Sequence, residues 1–171
     1  MGATRVFDDV KLAAKAGADV IVVDGMEGGT GASAEICQEH TGIPTLAAVC
    51  EARAALEDIG LYGEVQIVIA GGIRHGVDAA KAMALGADAV YIGTAALMAL
   101  NCNKPLYVED YHQLGTEPYH CHHCHTGRCP VGITTQDPEL TERLEVDQGA
   151  ERVARSEERR VGQECRSRWS P

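Results

Sequence analysis

Val65–Leu97 reads VQIVIAGGIRHGVDAAKAMALGADAVYIGTAAL, and this stretch decides the fold. Val65–Ala70 is an apolar run rich in β-branched residues. It is too short for a free-standing helix and predicts a strand buried on both faces. Gly71, Gly72, Ile73 and Arg74 follow as a turn, where missing Cβ atoms let backbone N–H groups approach a ligand. Val77–Leu85 then places Val77, Ala80, Met83 and Ala84 on one helical face, and Gly86 closes the helix. Asp88–Ile92 predicts a second buried strand, ending at Gly93 and Thr94. Two parallel strands that each finish in a glycine turn suit the phosphate-holding end of a barrel. There an anion meets backbone donors and helix N-termini. The plain alternative is that the glycines only make tight turns; their recurrence in consecutive units favours phosphate.

Upstream the same alternation continues. Val6, Val10, Leu12, Ala13 and Ala16 have helical spacing, with Gly17 as the stop. Asp19–Asp24, DVIVVD, reads as a buried strand opening into the glycine-rich loop Gly25–Ser33. A helix over Ala34–His40, a strand over Pro44–Val49 and a helix over Glu51–Ile59 capped by Gly60 complete the series. Strands alternating with helices predict an α/β chain with a parallel sheet. Counted this way the chain holds four βα units, half of an eight-fold barrel. Strands this apolar need cover, and the first would present an unpaired edge. The expectation is therefore a partial barrel, with further units upstream and Met1 an internal methionine.

The 171 residues suffice for one domain with a core, against about 250 for a complete barrel. A formal net charge of −10 argues against nucleic acid or an anionic membrane surface as partner. No long apolar run appears, and MGATRVFDDV carries acids where an export signal would carry bases. The expected setting is cytoplasmic. Seven cysteines in such a setting point to metal wherever they cluster.

They cluster in Cys121-His-His-Cys124-His-Thr-Gly-Arg-Cys129-Pro130, a C-x2-C-x4-C-P run. Thiolates so spaced can wrap one soft centre, and a proline after the last cysteine recurs in ferredoxin-type iron–sulfur runs. Zinc is an equal candidate on spacing alone, because His120, His122, His123 and His125 share the loop. Cys37 and Cys50 stand alone and are expected to pack as small hydrophobes. Asp24, at a strand end, suits a loop cap. In the turn after Val65–Ala70, Arg74 suits an anion better than His75, being always charged.

AGGIRHGVDAAKAMALGADAVYIGTAAL, Gly28–Ser33 (GGTGAS) and CHTGRCPVGITTQDPEL resemble the flavin domain of glutamate synthases, archaeal type above all. The resemblance covers about Gly2 to Ala154. It implies the last four units of a (β/α)8 barrel that binds FMN, followed by an iron–sulfur loop over residues 121–136. By this resemblance FMN contacts fall on Gly28, Gly29, Thr30, Gly31, Gly71, Gly72, Ile73, Arg74, Gly93 and Thr94. Asp24-Gly25-Met26-Glu27 departs from the family pattern, which leaves Glu27 without a role. Cys124 and Cys129 match the family's last two cluster ligands, and the third is Cys121 or Cys102. Both together would allow a 4Fe–4S rather than a 3Fe–4S cluster. The family's reaction is reductive amination of 2-oxoglutarate by reduced FMN, with ammonia from glutamine and electrons entering through the cluster. Glutaminase and electron-donor domains or subunits are the implied partners. The family's substrate-binding basic residues fall upstream of this chain, so no catalytic residue is assigned.

Three rivals stand. A glutamate–methylamine ligating barrel shares the glycine turns but lacks the cysteine run. Another FMN barrel lacks CHTGRCPVGITTQ. An inactive truncated product would hold no flavin. Separately, residues 155–171 turn abruptly rich in Arg, Glu and Ser and hold the only tryptophan, Trp169. They resemble a translated adapter oligonucleotide. They are read as a non-native tail, Cys165 included.

Overall fold

The computed structural model describes residues 1–29, 33, 36 and 41–167, with side chains described through 156. The chain divides into two compact units, the first made of Met1–Gly29 and Ser33–Gly93, the second beginning at Thr94.

The first unit runs α1 (Val6–Lys15), β1 (Val20–Asp24), α2 (Thr45–Asp58), β2 (Gln66–Ala70), α3 (Gly76–Leu85) and β3 (Ala89–Val90). Its strands lie parallel in the order β1-β2-β3, with Val22 opposite Val68 and Ile69 opposite Val90. Asp88 ties the second pairing. Its carboxylate accepts the Ile67 N–H at 2.7 Å while its own N–H donates to the Ile67 carbonyl at 2.8 Å. Val6 and Val10, Ile21 and Val23, Val49 and Leu56, Ile67 and Ile69 form one buried core. Each such side chain contributes about 2 kcal/mol by leaving water.

The structure departs from the sequence reading at several points. Pro44–Val49 is not a strand: Thr45–Asp58 is a single helix with Pro44 as its N-cap. Proline suits a helix start, where its missing N–H would be unpaired anyway. The apolar run is the helix's inward face, since Thr45, Ala48, Val49, Ala52, Ala55 and Leu56 are buried at three- and four-residue spacing. Glu51 is therefore mid-helix, and Cys50 lies exposed rather than packed. On α3, Val77, Ala80, Met83 and Ala84 are exposed, while Ala82 is buried between the half-buried Ala79 and Leu85. This helix is apolar nearly all round, so its pattern marks no unique stripe. The Asp78 carboxylate fixes its start by accepting the Arg74 and His75 N–H groups at 3.1 and 3.0 Å.

On α1, Leu12 faces solvent and Ala14 joins the core instead. The last strand is shorter than expected, leaving Tyr91 and Ile92 exposed. The edge of β1 is not bare, because Met1–Ala3 runs parallel to it. Asp24 donates its N–H to the Met1 carbonyl at 2.9 Å and accepts the Ala3 N–H at 2.8 Å. The helix expected over Ala34–His40 lies, Ile36 excepted, outside the described residues.

The second unit contains α4 (Thr94–Ala99), α5 (Val108–Gln113), α6 (Pro138–Thr141) and α7 (Val146–Ser167), with a 3-10 turn at Cys124–Thr126. It has no strand among its described residues. On α7, Arg152 donates from Nε to the Ala99 carbonyl at 3.1 Å, closing the end of α4. A Cβ on Gly149 would stand 3.0 Å from Leu100, so glycine there permits close packing. The backbone of α7 continues to Ser167, through much of the segment read as a non-native tail; Trp169 and the Cys165 side chain lie outside the described residues. No helix among the described residues is long and apolar enough to cross a membrane.

Candidate functional site

The residues singled out in the sequence lie in two features, one in each unit. At the C-terminal ends of β1 and β2 the chain turns through Gly25–Gly29 and Gly71–Arg74. Thr45, the first residue of α2 and only 4% exposed, joins them. Its N–H and hydroxyl lie 2.9 and 2.7 Å from Glu27 Oε2, and the same hydroxyl lies 2.9 Å from the Gly71 carbonyl. Glu27 thus has a role after all, as the carboxylate that caps α2. Burial disfavours its charge, but the two Thr45 bonds and the nearby Arg74 outweigh that and hold its carboxyl below the ordinary range.

A Cβ added to Gly25 would overlap Thr45, and one added to Gly28 would overlap the Asp24 carboxylate. One on Gly72, where φ is +68°, would stand 3.0 Å from Glu27 Cβ. These glycines are demanded by the protein's own packing. Gly93 differs: nothing lies within 4 Å of its Cβ position. Two amides of the Gly71–His75 turn, those of Arg74 and His75, serve Asp78.

In the second unit Asn103 closes a loop. It adopts φ +62°, a left-handed conformation that asparagine tolerates. Its Oδ1 accepts the Cys121 N–H at 2.9 Å, and its Nδ2 donates to the Cys121 carbonyl at 3.4 Å. Tyr119 donates its N–H to the Asn103 carbonyl at 2.9 Å. Residues 104–120 therefore leave and return at one point, which makes Cys102 and Cys121 neighbours. Arg143 supplies a second clamp. Its Nη1 donates to Asp110 on α5 at 2.9 Å and to the Pro130 carbonyl at 2.8 Å, with its guanidinium 4.3 Å from the Tyr107 ring.

Cys102, Cys121, Cys124 and Cys129 are all half-buried. Burial pushes the Cys102 thiol up to about 11, and its neighbours Cys124, Cys129 and Cys121 push the same way. Cys121 is raised too, chiefly by burial, against a hydrogen bond from the His123 N–H. Cys129 moves in the other direction. Burial opposes its ionisation, but the N–H groups of Thr134, Val131 and Ile133 and the Thr134 hydroxyl bring it below its ordinary value. Convergent amides of this kind form a nest for a negative sulfur. Tyr111, 1% exposed, has its phenol raised to about 12 by burial and by Cys121, Cys102 and Cys129.

Around one zinc ion at about 2.3 Å, sulfur atoms stand about 3.8 Å apart. Among the described residues no three His, Cys, Asp or Glu side chains converge closely enough to hold one ion. Cys124, Cys129 and Cys121 influence the Cys102 thiol electrostatically. His122 and His123 stack at 4.5 Å, and His123 and His125 at 6.1 Å.

The profile of the conserved region in glutamate synthase matches residues 1–158. The chain belongs to the glutamate synthase family. It is 51% identical over 154 residues to a glutamate synthase large subunit-like protein of Rhizobium meliloti, covering 90% of this chain and 35% of that protein. It is 47% identical to an archaeal-type glutamate synthase (NADPH) of Thermotoga maritima, over 83% of this chain and 25% of that one. An archaeal glutamate synthase (NADPH) of Methanocaldococcus jannaschii is 45% identical over 80% of this chain and 24% of its own length. The chain thus spans between a quarter and about a third of these relatives. Among solved structures, a FabK variant from Thermotoga maritima superposes at TM-score 0.42 with 28% identity, over 55% of this chain and 26% of that one. That score is too low to bear on the fold.

Of the residues this glutamate synthase family member was expected to use for flavin, Thr30 and Gly31 lie outside the described residues, as does Cys37. Gly28, Gly29, Gly71, Gly72 and Arg74 gather at the strand ends of the first unit, with Ile73 turned into the interior beside them. Gly93 closes that unit and Thr94 opens the next. Cys121 and Cys102, the alternatives for the third ligand, are brought to one point by Asn103. Glu27, Asn103, Tyr111, Thr134 and Arg143 escaped the sequence reading. Only Asn103 carried a usable signal, as one of two asparagines flanking Cys102.

Proposed function

We propose that this chain supplies the FMN-phosphate turns and the iron–sulfur ligands of a glutamate-forming oxidoreductase. The substrate is 2-oxoglutarate, and nitrogen comes from glutamine through a glutaminase domain or subunit. Electrons arrive from a separate donor. The observation that carries this reading is that Cys102, Cys121, Cys124 and Cys129 are all half-buried, with Asn103 bonding Cys121 back beside Cys102, within a chain of the glutamate synthase family. The donor set fits a soft, multi-atom centre better than a single hard ion. The amide nest at Cys129 fits too, because hydrogen bonds to sulfur are how proteins tune such clusters.

The parallel order β1-β2-β3, extended by Met1–Ala3, supports an arc of a (β/α)8 barrel, whose ligands bind at strand C-termini. The flavin turns lie at that end of the strands. When bound, FMN supplies hydride transfer and an iron–sulfur cluster supplies single electrons. The chain's own residues hold and orient. The thiolates of Cys102, Cys121, Cys124 and Cys129 would hold the cluster, and Asn103 and Arg143 keep their loop closed. Glu27 and Thr45 keep the two glycine turns in register, and the open face of Gly93 leaves room for a phosphate. Free thiols held for metal suit a cytoplasmic setting.

The test is composition after anaerobic purification. Iron and acid-labile sulfide in equal amounts, with FMN released on denaturation, are expected. Stoichiometric zinc without iron or sulfide overturns the cluster reading. An intact cluster with no flavin overturns the assignment of the turns.

A further inference from the structure

Among the described residues, two buried side-chain oxygens lack a hydrogen-bond partner: Tyr111 Oη and Thr134 Oγ1. A buried hydroxyl left without a hydrogen bond is unfavourable, and phenylalanine or valine would pack the same space without that cost. Both residues flank the thiols. Tyr111 senses Cys121, Cys102 and Cys129. Thr134 lies beside Cys129, close enough to favour its thiolate, although no bond of full geometry reaches its hydroxyl. Thr45, by contrast, has its buried hydroxyl bonded to Glu27. A neutral thiol is a weak acceptor, whereas thiolate or sulfide carries charge and accepts strongly. A charged sulfur is thus an acceptor that would satisfy both hydroxyls.

We propose that Tyr111 and Thr134 donate hydrogen bonds to sulfur atoms of the metal–sulfur centre held by Cys102, Cys121, Cys124 and Cys129, as positioning residues that raise its reduction potential. The inference rests on the cluster reading above. Reduction adds negative charge to the sulfurs, so a donor aimed at them stabilises the reduced form more than the oxidised one. The phenol is well placed for this. It sits on α5, which Arg143 ties through Asp110 to the Pro130 carbonyl, immediately after Cys129.

The experiment is a redox titration of the anaerobically purified full chain, with iron and sulfide measured alongside. Tyr111→Phe is expected to keep its iron and sulfide and to lower the reduction equilibrium constant about tenfold, about 59 mV for one electron. Thr134→Val should lower it less, and Thr134→Ser should restore it, because serine keeps the hydroxyl. Unchanged potentials in Tyr111→Phe and Thr134→Val, with the cluster intact, overturn the inference alone. Absence of iron and sulfide from the unmodified chain overturns the cluster reading and this inference together. Should Tyr111→Phe hold no iron, the Thr134 pair decides. A fall in Thr134→Val that Thr134→Ser reverses supports the inference, and equal potentials overturn it.

Discussion

The glycine turns of the first unit grow directly out of β1 and β2, and backbone and core set their shape before any side chain contributes. The cysteine loop of the second unit has no strand beside it among the described residues; Asn103 and Arg143 hold it by side-chain bonds. The two regions therefore fail in different ways. A turn on a sheet is over-determined and tolerates lost side-chain atoms, but has no room for added ones. A clamped loop tolerates added atoms at its surface and fails when one polar group is removed. Among the described residues, Tyr111 and Thr134 keep buried hydroxyls that the loop's own bonds leave without a partner.

The largest effect should come from the thiols. Cys124→Ser and Cys129→Ser should each remove all iron and sulfide while leaving flavin bound, since a hydroxyl does not deprotonate on the metal at neutral pH. Cys50→Ser, on an exposed helix face, should change neither. Cys102→Ser and Cys121→Ser separate a four-thiolate site, where either abolishes iron, from a three-thiolate one, where only one does. Full iron in Cys129→Ser would refute the assignment.

Next in size are the added atoms. Gly93→Val should abolish FMN retention with little change in melting temperature, because its Cβ meets nothing in the protein. Gly72→Val should lose FMN and stability together, having both a positive φ and Glu27 in the way. If Gly93→Val purifies fully yellow, the phosphate assignment fails.

Loss of a clamp should be smaller. Arg143→Met removes bonds to Asp110 and Pro130, and should cost about 2 kcal/mol and speed iron loss to a chelator. A melting curve and a chelation time course read both. Unchanged chelation kinetics would mean the loop does not depend on that clamp.

The smallest effect belongs to Glu27. Glu27→Gln should cost about 1 kcal/mol at neutral pH, the usual worth of a helix cap. Because its folded carboxyl titrates below the ordinary 4.5, its contribution is present above that value and lost as pH falls through the folded one. The variant and the parent should therefore converge in stability at acid pH; a constant gap would show that the Glu27 charge is irrelevant.

Much of this was legible along the chain. The parallel alternation, the glycine turns and the C-x2-C-x4-C-P run are local patterns, set by the period of a strand or helix and by ligand reach. The reading failed where two periods fit one stretch. TLAAVC reads equally as a buried strand or a buried helix face, and only the docking of Ala48, Ala52 and Leu56 into the core selects the helix. On α3, alanines all round left the inward face undefined until Asp78 capped its start.

The residue types alone determined that the chain would build a parallel α/β core and carry a thiolate-rich loop, because β-branched runs, glycines and cysteine spacing act over a few residues. Tertiary structure alone decided that Cys102 joins the loop, across 18 residues, through the left-handed Asn103 and its bonds to Cys121. It also decided that Glu27 caps a helix, and that two buried hydroxyls are left unpaired among the described residues. Those outcomes depend on groups meeting after the chain has closed on itself, and spacing along a sequence carries no record of which partners burial will bring together.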